Sequence, residues 1–162
     1  MLWHLCVALI SLGGIGSSPV SVQWAANSSQ PVTARQQEII QATVKLLSAI
    51  ASGDYDTYRE MSHPALSSFE PESLGVLVRG LEFHRFLMQN DGAPGRAGHT
   101  LLVEPLVHML SEDAACIAYV RLTLTPGRRA KAEETRVWRR GGDGTWRHVH
   151  FHRSVSAAPH TN

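Results

Sequence analysis

The chain has 162 residues, 43% apolar and 18% charged, with a formal net charge of +1. That length supports one domain with a real core and leaves little room for two. The near-zero charge excludes the counterion-displacing surface that non-specific nucleic-acid binding requires. Nearly all the basic residues are arginine, with only Lys45 and Lys131 as lysines, and of the two cysteines, Cys6 and Cys116, one lies in the atypical N-terminal segment. No intramolecular disulfide is expected.

Residues 1–21 carry no Lys, Arg, Asp or Glu and hold an apolar run, Leu2 to Ile10, followed by Gly and Ser. The run is too short and glycine-rich for a stable membrane span. Its layout is that of a secretory signal peptide lacking a positive n-region, so residues 1–26 read as a leader and the protein as exported, with a cytoplasmic location the alternative. Residues 27–32 read as a linker.

Thr33 and Gln36 form a capping box, and Ile39, Ile40, Val44, Leu47 and Ile50 recur at helical spacing until Ser52-Gly53 stops the helix. Asp54 caps a short second helix carrying Tyr55, Tyr58 and Met61, and His63-Pro64 breaks it. After a short extended piece, Glu70-Pro71-Glu72 reads as the start of a third helix. Leu74, Leu77, Val78, Leu81, His84, Leu87 and Met88 carry it to about Gln89. Asp91 to Gly98 is a loop by composition. Strands follow over 99–110 (with Pro105 marking an edge or bulge), 114–125, 131–140 and 145–154, the last two joined by Gly141-Gly142-Asp143-Gly144. Helices first and consecutive strands after predict an α+β domain over 33–155 built on an antiparallel sheet, with 156–162 as a tail.

Six strings in this order resemble the association (hub) domain of calcium/calmodulin-dependent protein kinase II. They are Arg35-Gln36-Gln37-Glu38-Ile39-Ile40, Phe69-Glu70-Pro71-Glu72, Phe83-His84-Arg85-Phe86, Ala114 to Thr123, Glu133-Glu134-Thr135-Arg136-Val137-Trp138, and Val149-His150-Phe151-His152-Arg153-Ser154. The resemblance implies a nuclear transport factor 2-like (cystatin-like) cone, with a long N-terminal helix packed on a curved sheet. It also implies self-association into dimers that build a stacked ring, here as a stand-alone hub without the kinase's glycine-rich or catalytic loops. Two departures bear on this. The Thr125–Ala130 loop is shorter than in animal kinases, which leaves ring size open. Asp91-Gly92-Ala93 stands where those kinases carry a tryptophan-bearing loop, which leaves ligand gating open.

Arg121, Arg136 and Arg153 fall in three different predicted strands. Converging guanidinium groups repel unless an anion or acidic side chains compensate, and arginine pairs with carboxylates through two parallel hydrogen bonds. In the resembling family the matching arginines line a pocket for small carboxylates, with a histidine and a tyrosine corresponding to His84 and Tyr58. The competing reading pairs the arginines with Glu82, Glu133 or Glu134 and leaves them structural. An enzymatic alternative is an isomerase, dehydratase or hydrolase of the same superfamily using Asp54, Asp56, Tyr58 or His84, disfavoured because neighbouring arginines lower the pKa of a carboxylate base. His148, His150 and His152 alternate along one predicted strand and should share a face. They are read as a surface or interface ladder, not a metal site, and no cofactor is expected. The expected partners are further copies of the chain and a small carboxylate.

Overall fold

The computed structural model describes residues 19–24, 31–90 and 98–155. Most of the leader, residues 27–30 of the linker, residues 91–97 of the predicted loop and the 156–162 tail lie outside them. Helix α1 spans Ala34–Ser52, opened by the Thr33–Gln36 capping box and closed at Gly53 in the left-handed conformation. Its buried residues are Ile39, Ile40, Thr43, Leu46, Leu47 and Ala49, a slightly rotated version of the expected stripe. Helix α2, Tyr55–Glu60, starts at the Asp54 side chain, which accepts from the Thr57 N–H.

Four antiparallel strands form the body of the sheet: β4 His99–Met109, β5 Ala114–Thr125, β6 Arg128–Arg140 and β7 Trp146–Val155. Around them lie β1 Val20–Gln23, β2 Ser62–Phe69 and β3 Val78–Arg79, in the order β1-β4-β5-β6-β7-β2-β3. The two flanking junctions, β1/β4 and β2/β7, are parallel. The sheet is curved and unclosed, and α1 packs against β1, β4 and β5. Pro105 marks a bulge as expected: the β4–β5 register shifts between Val103 and Leu106, and Glu104 takes a φ of 50°.

Two expectations need correction. The third helix is not continuous from Glu72. Pro71–Ser73 forms one 3-10 turn, Leu74, Gly75 and Gly80 take positive φ, Val78–Arg79 pairs with β2, and the α-helix α3 covers only Glu82–Asn90. The apolar spacing over 74–88 is helical, but glycines in a left-handed backbone break the hydrogen-bond ladder. Within the range read as a leader, Val20 is 4% exposed in the core and β1 pairs along β4. Second, the histidines do not share a face. The β6–β7 register shifts between Val137 and Trp138, so His148 points inward and is fully buried, whereas His150 and His152 lie beside Phe69, itself 38% exposed. One extra residue in a strand inverts everything beyond it.

Candidate functional site

Side chains two apart on a strand share a face, and this places Tyr119 and Arg121 of β5, Glu134 and Arg136 of β6, and Phe151 and Arg153 of β7 on the concave side. Helices α2 and α3 bring Tyr58 and His84 over them. Arg121, Arg136, Arg153, Tyr58 and His84, together with Glu70 and Glu72 after β2, line a cavity of about 270 Å³ whose apolar wall is Ile50, Leu87, Met88 and Phe151. All five residues singled out in the sequence, Arg121, Arg136, Arg153, His84 and Tyr58, therefore meet at one cavity.

The arginines converge, and carboxylates compensate them. Glu134 is at the centre, with no side-chain exposure, 2.9 Å from Arg136 and 3.1 Å from Arg121. Tyr119 donates its hydroxyl to the same carboxylate and accepts from Arg136 Nε at 2.9 Å. The Arg136 guanidinium also lies 4.5 Å from the Phe151 ring centroid, a cation–π contact. Burial pushes the Glu134 carboxyl up, but Arg136 and Arg121 outweigh it and bring it down to about 2. Burial likewise works against the Arg136 charge, and Tyr119 and Glu134 more than restore it. Arg153 bonds Glu72 and, at 3.4 Å, Glu70. Of the acidic partners expected from sequence, Glu134 fills that role. Glu82 instead pairs with Arg85, and Glu133 with Lys131.

His84 meets Glu70 through Nε2 at 2.8 Å, and Ser68 donates to the same carboxylate at 3.1 Å. Burial raises the Glu70 pKa, yet His84, Arg153 and Ser68 hold it below the ordinary carboxylate range. The Nδ1 of His84 has no hydrogen-bond partner among the described residues. Tyr58 is buried against the rings of His84 and His148, and burial raises its phenol pKa. Beneath the cavity Arg136 donates to His148 Nδ1 at 3.4 Å. The proton of His148 is then on Nε2, donated to Ser62 Oγ at 2.6 Å, and Ser62 donates on to the Tyr58 carbonyl. Burial, followed by Arg136 and His84, holds the His148 pKa well below its ordinary value.

Sequence reasoning missed Glu70, read only as a helix start, and His148, read as surface. The alternation Ala132, Glu134, Arg136, Trp138, ending on a tryptophan expected in the core, was the signal that Glu134 and Arg136 are both buried. Asp54 and Asp56 do not reach the cavity: Asp54 caps α2 and Asp56 pairs with Arg59 on the surface. The described residues hold no group of three or more His, Cys, Asp or Glu side chains suited to a metal ion.

Residues 35–157 match the model of the calcium/calmodulin dependent protein kinase II association domain. The chain is 49% identical over 136 residues to the alpha chain of that kinase from Drosophila melanogaster, covering 80% of this chain and 26% of the relative. It is 47% identical over 133 residues to the delta subunit from Oryctolagus cuniculus, covering 78% and 25%. It thus spans about a quarter of the length of these curated relatives. Among solved structures, the association domain of the C. elegans kinase superposes with a TM-score of 0.69 at 42% identity, covering 75% of this chain and 95% of that one. A nuclear transport factor 2-like protein from Pseudomonas putida, 17% identical, shares the fold alone, with a TM-score of 0.64 and coverage of 79% and 91%.

Proposed function

Because the chain belongs to the calcium/calmodulin dependent protein kinase II association domain family, we propose that it is a self-associating hub that gathers copies of itself into a homo-oligomer. The observation that carries this reading is an apolar surface that a monomer would leave in water. Leu74 is 91% exposed and Val76 66%, both in the short stretch between β2 and α3, and Phe86 on α3 is 60% exposed. Exposed apolar side chains of this size, when they gather on one surface, mark interaction sites. Light scattering coupled to size-exclusion chromatography should give the mass of many chains, and Phe86→Glu should reduce it while leaving the circular dichroism spectrum unchanged. A monomer at micromolar concentration would overturn the proposal.

The cavity is the second part of the proposal, as a site for a small organic anion. Its three arginines are balanced by Glu70 and Glu72 in the cavity wall and by Glu134 behind it, so a ligand must exchange for a carboxylate already present. Glu72 is the exchangeable one. Its side chain is 40% exposed, whereas those of Glu70 and Glu134 are 4% or less. When Glu72 turns out to water, a ligand carboxylate takes its place on Arg153 with no net change in buried charge. Calorimetric titration with small aliphatic carboxylates should show binding that Arg153→Met abolishes. Equal heats from both proteins would refute the site.

Export is the third part. It rests on the uncharged apolar N-terminal run, and the β1 strand adds a condition: a cut that leaves the domain whole falls before Pro19. Cell fractionation with intact-mass measurement of the native protein tests both points.

A further inference from the structure

A second cleft lies at the far end of the sheet, where the β6–β7 hairpin meets the β4–β5 turn and the start of β2. It has a volume of about 360 Å³ and is lined by His63, Asp113, Arg139, Arg140, Arg147 and the backbone of Gly141 and Gly142. We propose that this cleft is a binding site for a phosphate-class oxyanion, either inorganic phosphate or a small phosphate monoester.

The arginines are in unequal states. Arg147 is committed, since its two Nη atoms reach the Asp143 carboxylate at 3.2 and 2.7 Å. Arg139 and Arg140 have no carboxylate within ion-pair distance among the described residues. Arg140 is nevertheless held in place. Its backbone N–H donates to the Asp113 carbonyl at 2.7 Å and its Nε to the Gly144 carbonyl at 2.9 Å. That leaves its Nη atoms without a hydrogen-bond partner among the described residues, on a tethered fork that suits phosphate. His63 accepts from the Ala65 N–H through Nδ1 at 3.1 Å, so its Nε2 carries the proton and adds a neutral donor. Asp113 is the one carboxylate in the lining; it accepts from the Ser111 hydroxyl at 2.6 Å and attracts Arg139, which leaves Arg140 as the less compensated of the two.

The floor of the cleft is shaped by a missing side chain. A Cβ at Gly141 would lie 2.7 Å from Asp143 Oδ1 and 3.1 Å from Arg147 Nη1. Glycine therefore lets the Asp143–Arg147 clamp sit directly against the backbone that borders the cleft. A solvated pair of strand-end arginines needs neither a glycine floor nor a tethered guanidinium.

The test uses the full chain, titrated calorimetrically and by thermal shift with inorganic phosphate and separately with O-phosphoserine, against sodium chloride at matched ionic strength. Phosphate should raise the melting temperature above the chloride reference. The combined Arg139→Gln and Arg140→Gln variant should bind at least about tenfold more weakly, since two charge-assisted contacts are removed. Gly141→Ala should weaken binding with every charge intact, which a diffuse basic surface would not show. Arg153→Met should bind phosphate normally, which separates this cleft from the concave cavity. Tighter binding of O-phosphoserine assigns a monoester, and tighter binding of the free ion assigns inorganic phosphate. An equal response to phosphate and chloride, or an unchanged response in the double variant, would overturn the proposal.

Discussion

Replacing Glu134 by glutamine tests the electrostatic centre of the domain most directly. The change keeps the shape and leaves an oxygen to accept from Tyr119, but it removes the charge that Arg136 and Arg121 both face. The fall from an ordinary 4.5 to about 2 in the folded protein corresponds to about 3 kcal/mol of stabilisation. Breaking a buried ion pair by deleting one partner costs about 3–5 kcal/mol. The lower end applies because Arg121, 17% exposed, can turn toward water while Arg136, at 2%, cannot. The expected loss at pH 7 is therefore about 3 kcal/mol, on the order of 10 °C in Tm for a chain of this size. The sign with pH follows from linkage. A depressed carboxylate stabilises fully above the unfolded pKa and loses that contribution as pH falls from about 4.5 toward 2. The gap between wild type and Glu134→Gln should thus shrink to about half by pH 3. Urea unfolding at both pH values, at one fixed protomer concentration because assembly adds to apparent stability, measures it. A loss below about 1 kcal/mol at pH 7, or a gap that does not narrow in acid, would refute the assigned role of Glu134.

Three further outcomes follow from the same structure. His148 is buried and kept neutral, so its protonation favours the unfolded chain. Wild-type stability should fall by up to about 1.4 kcal/mol per pH unit as pH drops below 6.5, and His148→Gln should flatten that slope, read by urea midpoints between pH 7 and 5. Deleting residues through Trp24 strips β1 and Val20 from the core and should cost about 2–3 kcal/mol in urea, whereas a deletion ending at Ser18 leaves β1 whole and should cost little. Gly80→Ala places a side chain at a φ of 78° and should cost about 1 kcal/mol by thermal denaturation, although the space beside it is open, with the nearest atom 3.8 Å away.

Much of this domain was decided by local chemistry. The Thr33 capping box, the Gly53 stop, the Asp54 cap, the bulge at Pro105 and the hairpin at Gly141–Gly144 depend on residues within a few positions of one another, so they are legible along the chain. The period-two pattern of β5 to β7 likewise put Arg121, Arg136 and Arg153 on neighbouring strands, and the family strings supplied His84 and Tyr58. Tertiary structure decided what those residues do. Glu70 reaches His84 across 14 positions and Arg153 across 83, and no local pattern distinguishes such a carboxylate from a helix start. Inserting one residue in β7 sent His148 into the core and left His150 and His152 behind, because register belongs to strand pairing and not to either strand alone. Val20 joined the core because β4 offered a free edge beside it, and an edge is a property of strand pairing that the apolar stretch by itself does not carry.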